Sequence, residues 1–242
     1  MIKDLITGTG YIFRGFKLIR TPGLRRFVAI PFLINLVLFS TAIWWGYHEL
    51  DQYLLNILPG WLDWLSWLLM PLFSLAALIM VFYTFTLVAN LIGSPFNAVL
   101  AEKVERKLGG HPVNQESSLR ELASGSVKSI FAEIRKLAYL ALWAIPLLIL
   151  FLIPGINLIA PFAWGLFSAW MLALEYSDYA MGNHQLSFQQ ERQLLRKNKT
   201  LAWGFGGGML FLTLIPILNF FAMPVGVAGG TILWIERLKP DA

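Results

Sequence analysis

The chain has 242 residues, of which 57% are hydrophobic and only 14% are charged, and its net charge is +5. A soluble protein has about 25% charged residues, so this composition excludes an ordinary soluble domain and predicts an all-α integral membrane protein. Because the chain has no cysteine, the composition also excludes disulfides, thiol catalysis and cysteine-based metal sites.

The first predicted element is a basic helix over residues 1–26. One face carries apolar residues at helical spacing, while Lys3, Arg14 and Lys17 lie off that face. This pattern is typical of an amphipathic helix in the membrane interface. No cleavable signal peptide is predicted, because no small-residue cleavage site follows the first apolar run.

Two stretches without charged residues follow, and we predict a transmembrane helix in each, over residues 27–47 and 64–101. About 20 helical residues cross a hydrocarbon core that is about 30 Å thick. The first stretch therefore fits one crossing, and the second fits one long or tilted crossing.

Two further apolar stretches, residues 137–174 and 200–235, each contain a break. Both breaks read Ile-Pro-x-x-Asn-x-x-Ala, starting at Ile153 and Ile215, and a proline follows each. Proline stops the preceding helix, which leaves arms of about 15–17 residues, short of a full crossing. We therefore predict two re-entrant, hemi-penetrating hairpins; four ordinary spans are the alternative.

Smaller signals indicate how these segments pack. Two glycine pairs have the spacing for close helix packing in lipid, namely Gly204 with Gly208 and Gly226 with Gly230. Between the hairpins, Ser187 and Gln190 fit a capping box that opens a short cytoplasmic helix.

The basic residues predict the topology of this single membrane domain, residues 1–242. All 19 Lys and Arg lie on one side if each of the last two stretches returns to the side it entered from. Such loops stay in the cytoplasm, so both termini are expected there. Re-entrant and fully spanning hairpins satisfy this count equally. Because the basic blocks flank apolar runs, no nucleic-acid partner is predicted.

A possible anion site precedes the first predicted span. Thr21 suits an N-cap and Pro22 the first helical position, so the amides of Gly23, Leu24 and Arg25 would point out of a helix N-terminus. Such an end binds anions, and the guanidiniums of Arg25 and Arg26 add bidentate donors. The alternative is an anchor that contacts lipid phosphates.

Polar residues at the predicted spans could line a pore or a gate. Asparagine in lipid needs a partner, and its amide donors suit an anion, while charges at the cytoplasmic mouth could gate. The candidates are Asn35, Asn90, Asn97, Glu102 and Arg106. Ordinary interhelical hydrogen bonds and solvated ion pairs are the alternative.

Other chemistry is not indicated. The spacing of Gly10 and Gly15 fits a phosphate-binding loop, but Phe16 stands where lysine is required. The four apolar stretches contain no Asp, Glu or Lys, which leaves no clear proton-coupling group. Neither a catalytic constellation nor a metal or cofactor site is predicted, so an enzyme is not expected.

The sequence resembles the CysZ family of bacterial sulfate permeases over nearly its whole length. Four motifs carry the resemblance: Thr-Pro-Gly-Leu-Arg-Arg-Phe at Thr21–Phe27, Ser-Pro-Phe-Asn-Ala-Val-Leu-Ala-Glu at Ser94–Glu102, Phe-Ser-Ala-Trp-Met-Leu-Ala at Phe167–Ala173, and Ile-Pro-Ile-Leu-Asn-Phe-Phe-Ala-Met-Pro-Val at Ile215–Val225. The resemblance implies two transmembrane helices plus two hemi-penetrating helix pairs, in an oligomer in the bacterial inner membrane.

The resemblance also implies sulfate uptake for cysteine biosynthesis. The family's sulfate-binding Gly-Leu-Arg motif falls on Gly23, Leu24 and Arg25, with Arg26 adjacent. The expected partners are sulfate, membrane lipids and further copies of the chain, and sulfite could act as a regulator. A channel-like permease is the preferred mechanism. A proton-coupled symporter, a non-transporting membrane scaffold and a lipid-modifying enzyme using His48 or His184 are the alternatives.

Overall fold

The structure, a computed structural model, describes residues 1–30, 96–109 and 119–239. It also describes isolated positions in the intervening segment, namely residues 32–34, 36–37, 40–41, 44, 71–72, 75 and 93. The side chains of residues 119–134 and of Pro216 lie outside the description. Within these limits the chain forms helices and turns, and no described residue lies in a strand.

The chain divides into two compact units. The first combines Met1–Arg25 with Asn97–Ala242, and the second is Arg26–Phe96. In the second unit, residues 26–30 and all the isolated positions are helical. Residues 96–101, the end of the predicted span 64–101, are helical as well. The rest of the predicted spans 27–47 and 64–101 lies outside the described residues, so these two transmembrane helices stay predictions.

In the described part of the first unit, six helices have these bounds: α1 Ile2–Ile19, α2 Leu119–Leu152, α3 Ala160–Asn183, α4 Phe188–Lys197, α5 Lys199–Leu214 and α6 Pro216–Leu233. Residues 97–107 are helical as well. A 3₁₀ turn at Ile156–Leu158 joins α2 to α3, and a π-helical turn at Trp234–Leu238 extends α6.

Helices α2 and α3 form the first hairpin, with its break where the sequence predicts it. The turn spans residues 153–159, and Gly155 adopts a φ of 84°, a conformation that favours glycine. The amide of Asn157 donates to the carbonyl oxygen of Ile153 at 3.0 Å. Asn157 therefore serves the turn through its backbone.

Helices α5 and α6 form the second hairpin, but its break is much shorter than predicted. Only Ile215, which is extended, separates the two helices, and α6 begins at Pro216. The amide of Asn219 donates to the carbonyl oxygen of Ile215 at 2.8 Å, as at the first turn. Pro224, expected to belong to the break, lies inside α6. The repeat in sequence is therefore only partly a repeat in structure.

The glycine pairs pack as predicted. A Cβ at Gly204 would overlap the backbone carbonyl of Leu5 in α1, and one at Gly208 would overlap the side chain of Ile12. A Cβ at Gly226 would lie 2.5 Å from the ring of Tyr176 in α3. Glycine thus lets α1 and α3 approach the second hairpin at backbone distance.

Helix α1 lies against both arms of the second hairpin. Its buried side consists of Gly8, Tyr11, Ile12, Gly15 and Ile19. The sequence did not indicate this glycine-containing face. Large apolar side chains that belong to the predicted interfacial face remain exposed, namely Ile2, Ile6 and Phe13. One side of α1 therefore packs on protein, and another is available to lipid.

Two stretches of the described residues are long and apolar enough to cross a membrane, Arg135–Leu152 in α2 and Ile217–Leu238 in α6 with its extension. The first has 18 residues, or about 27 Å of helix. This arm before the first break is therefore long enough for a crossing, whereas α5, the arm before the second break, has 16 residues, or about 24 Å, and is short as predicted. Re-entry of the hairpins stays a prediction.

Candidate anion-binding site

The motif that precedes the first predicted span folds as a turn. The amides of Leu24 and Arg25 both donate to the carbonyl oxygen of Thr21, at 3.2 and 3.3 Å. Gly23 adopts a φ of 90°, which glycine allows at no steric cost. The helix begins only at Arg26.

The predicted N-cap at Thr21 is therefore wrong. Its hydroxyl donates to the carbonyl oxygen of Leu18 at 2.7 Å, so it caps the end of α1 instead. Two of the three amides expected to be free are engaged in the turn. Anion recognition at this motif would then depend mainly on its side chains.

The side chains of the motif divide between the core and the surface. Leu24 is buried, with 3% of its surface exposed, and it anchors the turn. Gly23 and Arg25 are exposed. Arg26, the first residue of the second unit, is also exposed, and its guanidinium carbon lies 5.1 Å from the ring centroid of Phe27. The turn thus leaves its cationic groups accessible to solvent.

A further cation, which the sequence did not predict, reaches this turn from residues 97–107. The ammonium group of Lys107 donates to the hydroxyl oxygen of Thr21 at 2.7 Å. The two residues are 86 positions apart. The available signal was the cluster Lys103, Arg106 and Lys107 within about one helical turn. Lys107 adds positive charge to the motif, as an oxyanion site requires.

The predicted pore or gate residues have ordinary partners where the structure describes them. Asn97 is buried, with its side chain within hydrogen-bond reach of Tyr179. Glu102 and Arg106 form an ion pair at 2.5 Å on one helix face. Asn35 and Asn90 lie outside the described residues. A gating role for these residues stays a prediction.

The buried carboxylate of Glu105 contacts one residue just after α3 and another near the C-terminus. Glu105 has 1% of its surface exposed, and both its oxygens lie 2.9 Å from Nε2 of His184. The ammonium of Lys239 lies 3.5 Å from the same carboxylate, and the ring of His184 packs on Trp234. These partners neutralise the buried charge, so the cluster has a structural role.

A second buried carboxylate lies at the base of the first hairpin. Glu191 in α4 has 2% of its surface exposed, and no described residue forms a hydrogen bond with its Oε2. Burial, with a smaller effect of neighbouring Asp178, raises the pKa of Glu191 to about 9. Lys136 of α2 pairs with Asp178 and partly opposes this effect. Glu191 therefore carries a proton at neutral pH.

The predicted capping box is confirmed, because the amide of Ser187 donates to Oε1 of Gln190 at 2.8 Å. It fixes the start of α4, the helix that carries Glu191. Across the part of the chain that the structure describes, no group of three or more His, Asp and Glu residues could hold a metal ion.

Residues 11–224 match the family described as sulfate transporter CysZ/etoposide-induced protein 2.4. Proteins named sulfate transporter CysZ are similar over 96% of this chain: that of Pectobacterium atrosepticum is 43% identical with 86% of its length covered, and that of Vibrio cholerae is 41% identical with 94% covered. The one from Pseudomonas aeruginosa is 41% identical, with 96% of each chain covered. The chain belongs to the sulfate transporter CysZ/etoposide-induced protein 2.4 family.

Proposed function

We propose that this chain carries sulfate across the bacterial inner membrane as a channel-like permease and so supplies sulfur for cysteine biosynthesis. The observation that carries the proposal is the exposed basic turn at Gly23–Arg25, which Lys107 contacts through Thr21. The relatives named as sulfate transporters support it, since they are similar over nearly the whole chain. Their names also support a transporter rather than an enzyme.

The turn suits a tetrahedral dianion by charge and by shape. The guanidinium of Arg25 offers paired N–H donors, and the ammonium of Lys107 offers a compact charge on the same turn. Leu24 is buried beneath, so the turn has a fixed base. In this proposal Gly23, Leu24, Arg25 and Lys107 form the sulfate site, and Arg26 belongs to it on the strength of the sequence motif alone.

The direction of transport sets a physical constraint. A dianion that enters a cell with a negative interior climbs about 4.6 kcal/mol per 100 mV, twice the value for a single charge. A passive permease would import sulfate only while the cell consumes it or while external sulfate is abundant. The cytoplasmic site would then also sense internal sulfate or sulfite.

Proton coupling is the second candidate mechanism, and a buried group favours it. Glu191 holds a proton at neutral pH next to Asp178 and Lys136. A carrier that moves protons with sulfate needs such a group. Glu191 lies in α4, outside the apolar stretches, so the coupling would act at the base of the first hairpin.

The proposal extends to assembly and topology. Both termini would lie in the cytoplasm, the hairpins would re-enter on that side, and several copies would enclose the path with membrane lipids around them. A non-transporting scaffold is the remaining alternative, and it predicts no affinity for sulfate.

Binding of radiolabelled sulfate to the purified full-length protein tests the site. We expect Arg25→Ala and Lys107→Ala each to weaken binding about tenfold or more, because each removes a charge-assisted hydrogen bond. Lys3→Ala, an exposed cation near the start of α1, is the matched control and should bind as the unchanged protein does. Equal binding by all four proteins would refute the site, and absent binding would favour the scaffold.

Flux into liposomes separates the two transport mechanisms. A channel-like permease should take up sulfate at the same rate with and without an inward proton gradient. A symporter should be accelerated by the gradient, and Glu191→Gln should abolish that acceleration while sulfate binding remains. These outcomes are independent of the binding experiment.

A further inference from the structure

A groove of about 630 Å³ opens between the first hairpin and α5. Its walls are apolar along most of their length, with Trp143 and Leu147 from α2, Leu166 and Phe167 from α3, and Trp203 from α5. Trp143 and Leu166 have 51% and 61% of their surfaces exposed, so the groove is open on its outer side. The apolar stretch of α2 that borders it is the one that packs least on protein.

The polar end of the groove is basic. Arg196 at the end of α4 and Lys199 at the start of α5 complete its lining, and none of the described lining residues is acidic. Both side chains are exposed, and no carboxylate among the described residues pairs with either. A negatively charged group would therefore meet two uncompensated cations there.

Aromatic side chains mark the level between the basic end and the apolar wall. Nε1 of Trp170 donates to the hydroxyl of Tyr139 at 3.2 Å, and the ring of Trp170 packs edge-on against Trp203. The guanidinium carbon of Arg192 lies 4.5 Å from the ring centroid of Tyr139. Tryptophan and tyrosine prefer the headgroup level of a bilayer, so the basic end is at the surface and the apolar wall is deeper.

We propose that this groove binds one anionic phospholipid, with its phosphate on Arg196 and Lys199 and an acyl chain along the wall. From Tyr139 to Leu147 the wall rises about 12 Å, since eight helical residues advance about 1.5 Å each. That length accommodates roughly the first ten carbons of an acyl chain. The lipid would join α2 and α3 to α5, and so connect the two hairpins through their cytoplasmic ends.

A free oxyanion fits this groove less well than a lipid does. Sulfate or phosphate would use the two cations but would not contact the apolar wall. Only a lipid can contact both cations and also pack an acyl chain along that wall. The groove is also separate from Gly23–Arg26, and the proposal does not depend on the sulfate site.

Native mass spectrometry of the delipidated full-length protein, titrated with phosphatidylglycerol or phosphatidylcholine, tests the proposal. We expect phosphatidylglycerol to bind more tightly, and the double variant Arg196→Ala/Lys199→Ala to weaken its binding about tenfold or more. Lys197→Ala removes a neighbouring exposed cation outside the groove and is the matched control. It should retain the affinity of the unchanged protein.

A second variant distinguishes a lipid from a free anion. Ala163→Trp fills the apolar wall without changing charge, and it should weaken phosphatidylglycerol binding as strongly as the double variant does. Inorganic phosphate should not displace the lipid. Unchanged binding by Ala163→Trp, or complete displacement by phosphate, would overturn the proposal, and so would equal binding of the two phospholipids. Elution volume and helical content check that each variant is folded.

Discussion

The two hairpins share a sequence motif but differ in how much of their apolar surface meets protein. In the second hairpin, 67% of the stretch Ile217–Leu238 is buried, whereas only 6% of Arg135–Leu152 in the first is buried. Two stretches of similar hydrophobicity therefore have different surroundings. Helix α6 is at the centre of the packed unit, and α2 presents its apolar side chains outward, as a lipid-facing helix does.

The hairpins also differ in the contacts that attach them to neighbouring helices. Helix α1 and the second hairpin meet at glycines, where backbones are close enough that no side chain fits between them. At the base of the first hairpin, Lys136 and Asp178 form an ion pair, and the protonated Glu191 of α4 lies beside it. Contacts between backbones do not titrate, whereas a buried carboxyl group does. We therefore expect pH to affect the first hairpin and steric changes to affect the second.

We expect the largest effect on stability from a side chain that blocks the close approach of α5, in the second hairpin, to α3. A Cβ at Gly206 would overlap the carbonyl group of Ala169 in α3, which cannot move as the end of a flexible side chain can. Gly206→Ala should lower the free energy of unfolding by about 3 kcal/mol or more, because the helices must separate. The thermal midpoint of the purified protein in detergent measures it.

Gly207→Ala is the matched control for this prediction. A Cβ there has no neighbouring atom within 4 Å, and alanine favours helix over glycine. That variant should be as stable as the unchanged protein or slightly more stable. Equal loss in both variants would mean that helix–helix approach at Gly206 is not what stabilises the second hairpin.

The next largest expected effect is the dependence of stability on pH at the base of the first hairpin. The pKa of Glu191 is raised from 4.5 to about 9, so between these values the folded state binds a proton that the unfolded state does not. The stabilisation of the folded state by this proton is complete below about pH 4.5. The free energy of unfolding then falls by about 1.4 kcal/mol per pH unit as the pH rises toward 9. Neighbouring Asp178 contributes to this rise of the pKa, and Lys136 opposes it.

Glu191→Gln should remove most of this pH dependence, because glutamine keeps the shape of the protonated acid and does not titrate. Thermal midpoints measured from pH 6 to pH 8.5 should fall for the unchanged protein and stay nearly level for the variant. Glu175→Gln, an exposed carboxylate on the adjoining helix α3, should retain the fall. A parallel fall in all three proteins would contradict the role of Glu191.

Features that depend on local sequence were predicted well. The first break, the glycine pairs and the capping box at Ser187 each follow from the residues within a few positions, and each is confirmed. The second break was overestimated, because Pro224 is tolerated inside α6. A proline ends a helix only when its lost hydrogen bond and steric clash are not accommodated by the surrounding packing.

Features that depend on distant residues were not predictable in the same way. Lys107 reaches Thr21 across 86 positions, and no local pattern marks that pair. Thr21 was expected to cap the following helix, but its hydroxyl donates instead to the carbonyl oxygen of Leu18 at the end of α1, which also accepts from the amide of Thr21. By sequence, Glu191 resembles a solvated residue in a polar helix, and it is buried only because α4 packs on α2, α3 and α5.

We expect the smallest effect on stability from the ion pair between α1 and the turn that follows α6. Removing it tests whether charge or packing attaches α1 to the second hairpin. The guanidinium of Arg14 donates to both carboxylate oxygens of Glu236, at 2.8 and 2.5 Å, but both side chains are largely exposed. An exposed pair contributes about 0.2–1 kcal/mol, and salt screens it. Arg14→Ala should therefore lower the thermal midpoint slightly at low salt, and the difference should shrink in 0.5 M sodium chloride.

Lys17→Ala removes a charge from the same helix, and no ion pair of Lys17 occurs among the described residues, so it should have no effect in either buffer. A loss at Arg14 as large as that at Gly206, undiminished by salt, would mean that the ion pair is what attaches α1. A small and screened loss would leave the glycine contacts as the attachment, since Gly8 and Gly15 of α1 approach α5 and α6 independently of charge.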